Sequence, residues 1–205
     1  MYRLLTVEEI RSGLRNRFAE DALKYPDHFA SLIPEASSEA QATNISDRLA
    51  EFLGSALPPS FVAGMCEWNL GCLELAGINF GRTGDFVARV KQCNKPAPGT
   101  QWWEDQELDD RPPGLLMIGQ GDPHVVLLEQ STGRILAYVA DEGSASCALV
   151  APNLSMFLRG LGSVSLHPHQ QGRDTENLTN DLVTQIGTNV NRAFWYELAI
   201  IHADA

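Results

Sequence analysis

The stretch Pro112–Tyr138, PPGLLMIGQGDPHVVLLEQSTGRILAY, constrains the fold more than any other part of the chain. Leu115 to Ile118, His124 to Glu129 and Ile135 to Val139 are apolar runs of strand length. Gly119-Gln120-Gly121-Asp122-Pro123 separates the first two, and Ser131-Thr132-Gly133 separates the second and third. Glycine supplies positive φ in such turns, and proline withholds a ladder donor. A parallel return needs a crossover of about a dozen residues or more, so strands joined this closely pair antiparallel. The stretch is therefore a β-meander. Val125 to Leu128 is apolar without alternation, as expected of a strand covered on both faces.

The flanking residues read mainly as helices. Thr6-Val7-Glu8-Glu9 has capping-box form, and Val7, Ile10, Leu14 and Phe18 follow on one helical face before Pro26. Glu35 to Thr43 is small and polar and reads as an exposed loop, after which Asn44 caps a helix carrying Ile45, Leu49, Phe52 and Leu53. Pro58 and Pro59 open the next helix, with Phe61, Met65 and Trp68 along one side. Asn69 to Gly71 is a turn, Cys72 to Phe80 a strand with a bulge at Gly77, and Asp85 caps a short helix with Phe86, Val87 and Val90. Asn94 to Thr100 reads as a loop. Beyond the meander, Ala148 to Val150 is a further short strand. Asn153 caps a helix that Gly162 ends, and Ser163 to Asp174 reads as a loop. Leu178, Leu182, Ile186, Val190, Phe194 and Leu198 recur at helical spacing as one last helix, within which Gly187 costs about 1 kcal/mol.

With 205 residues, 44% of them apolar, the chain suits one sizeable domain and is not disordered throughout. Its net charge of −11, from 26 acids and 15 bases, argues against general nucleic-acid binding and suits either a basic partner or solubility alone. Cys66, Cys72, Cys93 and Cys147 match no zinc or redox spacing and are expected to be free thiols in a reducing cytosol. The opening residues lack the apolar run of a signal peptide, and no stretch approaches a membrane span. A cytoplasmic protein without membrane attachment is expected.

The order of pieces from Asn44 to Gly162 resembles the SUKH superfamily, in its branch named for yeast regulators of cell-wall assembly. Leu57-Pro58-Pro59-Ser60-Phe61 opens a helix that Asn69-x-Gly71 closes. Gly114-Leu115-Leu116-Met117-Ile118-Gly119 leads into Gly121-Asp122, then come the strands of Val125 to Tyr138 and the helix start Asn153-Leu154-Ser155-Met156-Phe157-Leu158. The resemblance implies an α+β fold with an antiparallel sheet flanked by helices. Residues 1–43 are then a helical accessory, 44–162 the core, and 163–205 a loop and C-terminal helix of the same domain. The bacterial members look like immunity proteins that bind and neutralise a toxin, often a nuclease or deaminase; others are regulatory scaffolds. The resemblance brings no catalytic residues, cofactor or metal.

The candidate binding surface is Glu104, Asp105, Glu107, Asp109 and Asp110 beside Trp102 and Trp103. Aromatic side chains anchor an interface and carboxylates steer a basic partner. The competing reading is a solvated loop whose tryptophans lie in the core. His167-Pro168-His169 offers two of the three or four ligands zinc needs and reads as solvent loop. Asp122 beside His124 is a turn residue before it is a catalytic partner, Gly119-x-Gly121 lacks the dinucleotide fingerprint, and Ser144 to Cys147 lacks a nucleophile elbow. Arg82, Arg89, Lys91 and Lys95 form a local basic cluster. Taken with what the resemblance implies, the net charge and the Trp102 to Asp110 stretch favour a non-enzymatic protein that occludes a basic toxin. A regulatory scaffold with a cellular partner is the alternative. A small-molecule-binding domain or hydrolase is the third reading, which a deep pocket joining His124 or Cys147 to a carboxylate would favour.

Overall fold

The computed structural model describes residues 1–81, 84–96, 101–104, 111–171 and 174–203, apart from the side chains of 27, 28, 30, 168–171 and 203. The meander forms as expected: β3 (Leu115–Gln120), β4 (His124–Glu129) and β5 (Ile135–Val139) pair antiparallel in sequence order. Strand alternation divides their side chains between two cores. Leu116, Ile118, Val126, Leu128, Ile135 and Ala137 enter the larger one, while Met117, Val125, Leu127 and Tyr138 enter a smaller one on the opposite face. β4 is thus apolar from Val125 to Leu128 because both of its faces are covered there. Each fully buried valine or leucine contributes about 1.5–3 kcal/mol.

The sheet is wider than the meander. The expected strand Cys72 to Phe80 is a hairpin of β1 (Leu73–Leu75) and β2 (Ile78–Gly81). Ala76 and Gly77 turn between them with φ of 50° and 72°, the pair of positive values that a type I′ hairpin turn requires. A two-residue turn preserves parity, so Leu73, Leu75, Ile78 and Phe80 all face the larger core. β6 (Ala148–Ala151) completes a six-stranded sheet in the order β1-β2-β3-β4-β5-β6.

The helices begin with α1 (Val7–Lys24), whose capping box forms through Thr6 and Glu9, and α2 (Pro26–Phe29). α3 (Glu39–Leu53) starts earlier than Asn44: Ser38 and Gln41 make a capping box of their own, and Ala42 is buried. Part of the expected loop 35–43 is therefore helical. α4 (Pro59–Glu67) starts on its proline, and α5 (Phe86–Cys93) is capped by Asp85 through the Ala88 N–H.

α6 (Leu154–Gln171) is capped by Asn153 and does not stop at Gly162. Its glycines serve close packing. A Cβ on Gly160 would come within 2.4 Å of the Trp195 ring, and one on Gly162 within 2.5 Å of Ile10. The start of the polar tract beyond them, residues 163–167, is buried helix, and its Ser163 and His167 side chains hold the N-terminal segment of the chain. Ser163 Oγ accepts from Leu5 N at 2.9 Å, and His167 Nε2 meets the Arg3 carbonyl at 2.7 Å. His167 is therefore no solvent-loop residue.

The single last helix is two, α7 (Thr175–Ile186) and α8 (Arg192–Ala203). Gly187 is extended, Asn189 is left-handed at φ 65°, and Asn191 caps α8 through the N–H groups of Ala193 and Phe194. The break turns the chain back, so that both halves pack on α6. Leu5 and Ile10, Phe61 and Phe80, and Leu182 and Trp195 share one core, so all three sequence segments belong to it. Among the described residues no helix is long and apolar enough to cross a membrane.

Candidate functional site

The second face of the sheet organises the site. Met117, Val125, Leu127 and Tyr138 form an apolar floor there, and the segment 101–104 lies across it. Trp103 is fully buried and Trp102 nearly so, with the Tyr138 hydroxyl donating to the Trp102 carbonyl at 3.0 Å. This corrects the expectation of aromatic anchors on the surface: the floor needs a cover, and the two indoles supply it. Glu104 is exposed as expected; Asp105, Glu107, Asp109 and Asp110 lie outside the described residues.

Asn94 fastens this cover. Among the described residues β2 meets β3 through the pairing Asn79↔Gln120, and none of them gives the Met117 backbone a strand partner on that side. The buried Asn94 carboxamide acts as one. It donates to the Met117 carbonyl at 2.8 Å and accepts from the Met117 N–H at 2.9 Å. It also donates to the Val90 carbonyl at 2.8 Å and accepts from Trp102 Nε1 at 3.1 Å. Nothing in the residues around Asn94, read as a loop, signals this role.

Beside the tryptophans the face opens into two adjoining cavities. One, of about 520 Å³, is lined by Glu74, Asn79, Arg89, Gln120, Asp122 and Val125 among others. The second, of about 330 Å³, is lined by Cys93, Gln101, Trp102, Met117 and Tyr138 and shares Gln120, Val125 and Ala140 with the first. Gly121 shapes the rim, where a Cβ would come within 2.4 Å of the Gly77 carbonyl oxygen. Arg89 donates to Asn79 Oδ1, and Asn79 Nδ2 donates to Glu74 Oε2 at 3.4 Å. The expected basic cluster does not gather here: Lys91 sits over the Phe52 ring at 5.8 Å, Lys95 is exposed, and Arg82 lies outside the described residues. Exposed acids crowd the same end of the sheet instead, with Asp122 on the β3–β4 turn and Asp141 and Glu142 just after β5.

His124 points to the opposite face and does meet a carboxylate. Its Nε2 lies 3.1 Å from Glu197 Oε2 on α8, and its ring packs edge-on against Phe194. The adjacent cavity is small, about 140 Å³, and Glu142 and Ser146 also line it. The other ring nitrogen, Nδ1, is buried without a partner among the described residues. The dyad thus docks α8 on the sheet, and the arrangement lacks an open nitrogen for base catalysis. Burial pushes the Cys147 thiol up to about 11 and raises Cys93 as well, so both stay protonated at neutral pH. All four cysteines are free.

Burial holds His124 below its ordinary value of 6.5, against the opposing pull of Glu197 and then Asp122. The unfolded chain then takes up a proton near pH 6.5 that the folded chain refuses, so stability falls as pH drops below that value. Urea unfolding should show the wild-type midpoint falling between about pH 7.5 and about pH 5.5, and His124→Phe falling less. Equal slopes for the two proteins would contradict this assignment.

Among the described residues no three His, Cys, Asp or Glu side chains gather as a metal site. No family model, curated protein or solved structure matches the chain.

Proposed function

We propose that the chain is a non-catalytic binding protein of the SUKH immunity type, which neutralises a basic toxin by covering it. The observation that carries this reading is the concentration of exposed carboxylates at one end of the sheet. Asp122, Asp141 and Glu142 stand there with the half-exposed Glu197, and Arg89 is the one lysine or arginine among the described residues lining the neighbouring cavities. A surplus of one sign on a concave rim steers an oppositely charged partner and speeds its association. The whole-chain charge of −11 acts in the same direction. The motif order from Asn44 to Gly162 supports the immunity class. Cytoplasmic location follows from that reading, because such a protein meets its toxin inside the cell it protects.

The test is binding to the product of the reading frame next to this chain's own. Asp122→Asn, Asp141→Asn and Glu142→Gln together should weaken the complex by about tenfold or more and flatten its salt dependence. Undiminished binding by the triple variant, at both low and high salt, would remove the acidic end as the interface.

A further inference from the structure

The adjoining cavities on the second face share Gln120, Val125 and Ala140 and make one groove with unlike ends. At the polar end Arg89 is half-buried, its guanidinium aligned by the hydrogen bond to Asn79. No ion pair among the described residues involves Arg89, although the chain holds 26 acids to 15 bases. A guanidinium oriented by a neighbouring amide and facing a cleft presents the planar fork that a carboxylate matches with two hydrogen bonds. Glu74 and Asp122 share the lining, so a multiply charged anion such as a phosphate ester would meet two carboxylates. Arg89 faces two carboxylates, so the lining holds no positive surplus; a monocarboxylate, with one charge and a planar fit to the guanidinium fork, is the anion that meets the least repulsion there.

At the other end the lining turns apolar, with Trp102, Met117, Val125 and Tyr138. One polar atom stands out there: the Gln101 carboxamide oxygen is buried and accepts no hydrogen bond among the described residues. A buried acceptor left without a donor is costly, and a donor on a bound molecule would complete it. The two volumes, about 520 Å³ and about 330 Å³, fall in the size range of small-molecule sites.

We infer that this groove binds a small monocarboxylate with an apolar body and a hydrogen-bond donor at its far end. Arg89 holds the carboxylate, Met117, Val125, Tyr138 and Trp102 receive the body, and Gln101 accepts from the donor. The site differs in ligand class from the protein partner proposed above, and either stands without the other.

Isothermal titration of the full chain tests it with 3-(4-hydroxyphenyl)propionate, its amide, and 3-phenylpropionate. The hydroxylated acid should bind saturably, one to one. The amide should bind about tenfold more weakly or worse, having lost the charge-assisted pair. Arg89→Gln should cost about the same factor, with Arg89→Lys between it and the wild type. Gln101→Leu should erase the preference for the hydroxylated acid over 3-phenylpropionate while leaving both able to bind. Circular dichroism confirms that each variant is folded. Absence of saturable binding by either acid up to about 10 mM, equal binding of acid and amide, or full affinity in Arg89→Gln would each overturn the inference.

Discussion

Asn94→Ala is expected to lower the free energy of unfolding by about 3–5 kcal/mol, read from urea unfolding. The side chain makes four buried hydrogen bonds, and its removal strands the Met117 N–H, the Trp102 indole N–H and the Met117 carbonyl oxygen, while the Val90 carbonyl keeps the Asn94 backbone N–H. A buried donor or acceptor without a partner costs about 1–3 kcal/mol, and local relaxation recovers part of the sum. The loss should appear in tryptophan fluorescence too, as the cover over Met117 and Tyr138 loosens. Asn94→Asp is close in shape, yet an ionised carboxylate donates to neither carbonyl, so it should rescue little and do worse as pH rises. A change below about 1 kcal/mol in Asn94→Ala would mean that the cover does not depend on this side chain.

Trp195→Ala should cost about 4–5 kcal/mol, in the upper part of the range for deleting a large buried aromatic. The ring is fully buried among Phe157, Phe194 and Gly160, and Nε1 donates to the Val150 carbonyl at 3.0 Å. Its loss would remove both the packing and a side-chain tether of α8 to β6. Trp195→Phe keeps most of the packing and should cost about 1–2 kcal/mol. Domain stabilities run at about 5–15 kcal/mol, so the alanine variant should leave little margin. If it instead unfolds within about 1 kcal/mol of wild type, α8 is not docked as described.

Much of the sheet was legible in the residues because a two-residue period and tight turns act locally. Val125 to Leu128 announced a strand buried on both faces, and Ser131-Thr132-Gly133 announced a return. The errors arose where a distant neighbour decides. Gly162 looks like a helix stop until Ile10 is seen against it, and Ser163 and His167 look like loop residues until Leu5 and Arg3 are seen as their partners. The turn at Ala76-Gly77 lacks the asparagine or aspartate that usually marks it. Ser38-x-x-Gln41 was a legible start signal for α3 that the polarity of 35–43 obscured. At the candidate site, the acidity of the chain and the pairing of tryptophans with acids were visible. The burial of both indoles was open in the sequence as a competing reading, whereas Arg89 with Asn79 and His124 with Glu197 are joined only by the fold.

Growth rescue measures the proposed function most directly. The product of the neighbouring reading frame is expressed alone, then with this chain, then with its Asp122→Asn, Asp141→Asn, Glu142→Gln variant. The expected result is arrest by the neighbour alone, recovery with the wild-type chain, and no recovery with the variant although it folds. A harmless neighbour, or rescue by the variant equal to that of the wild type, would contradict it.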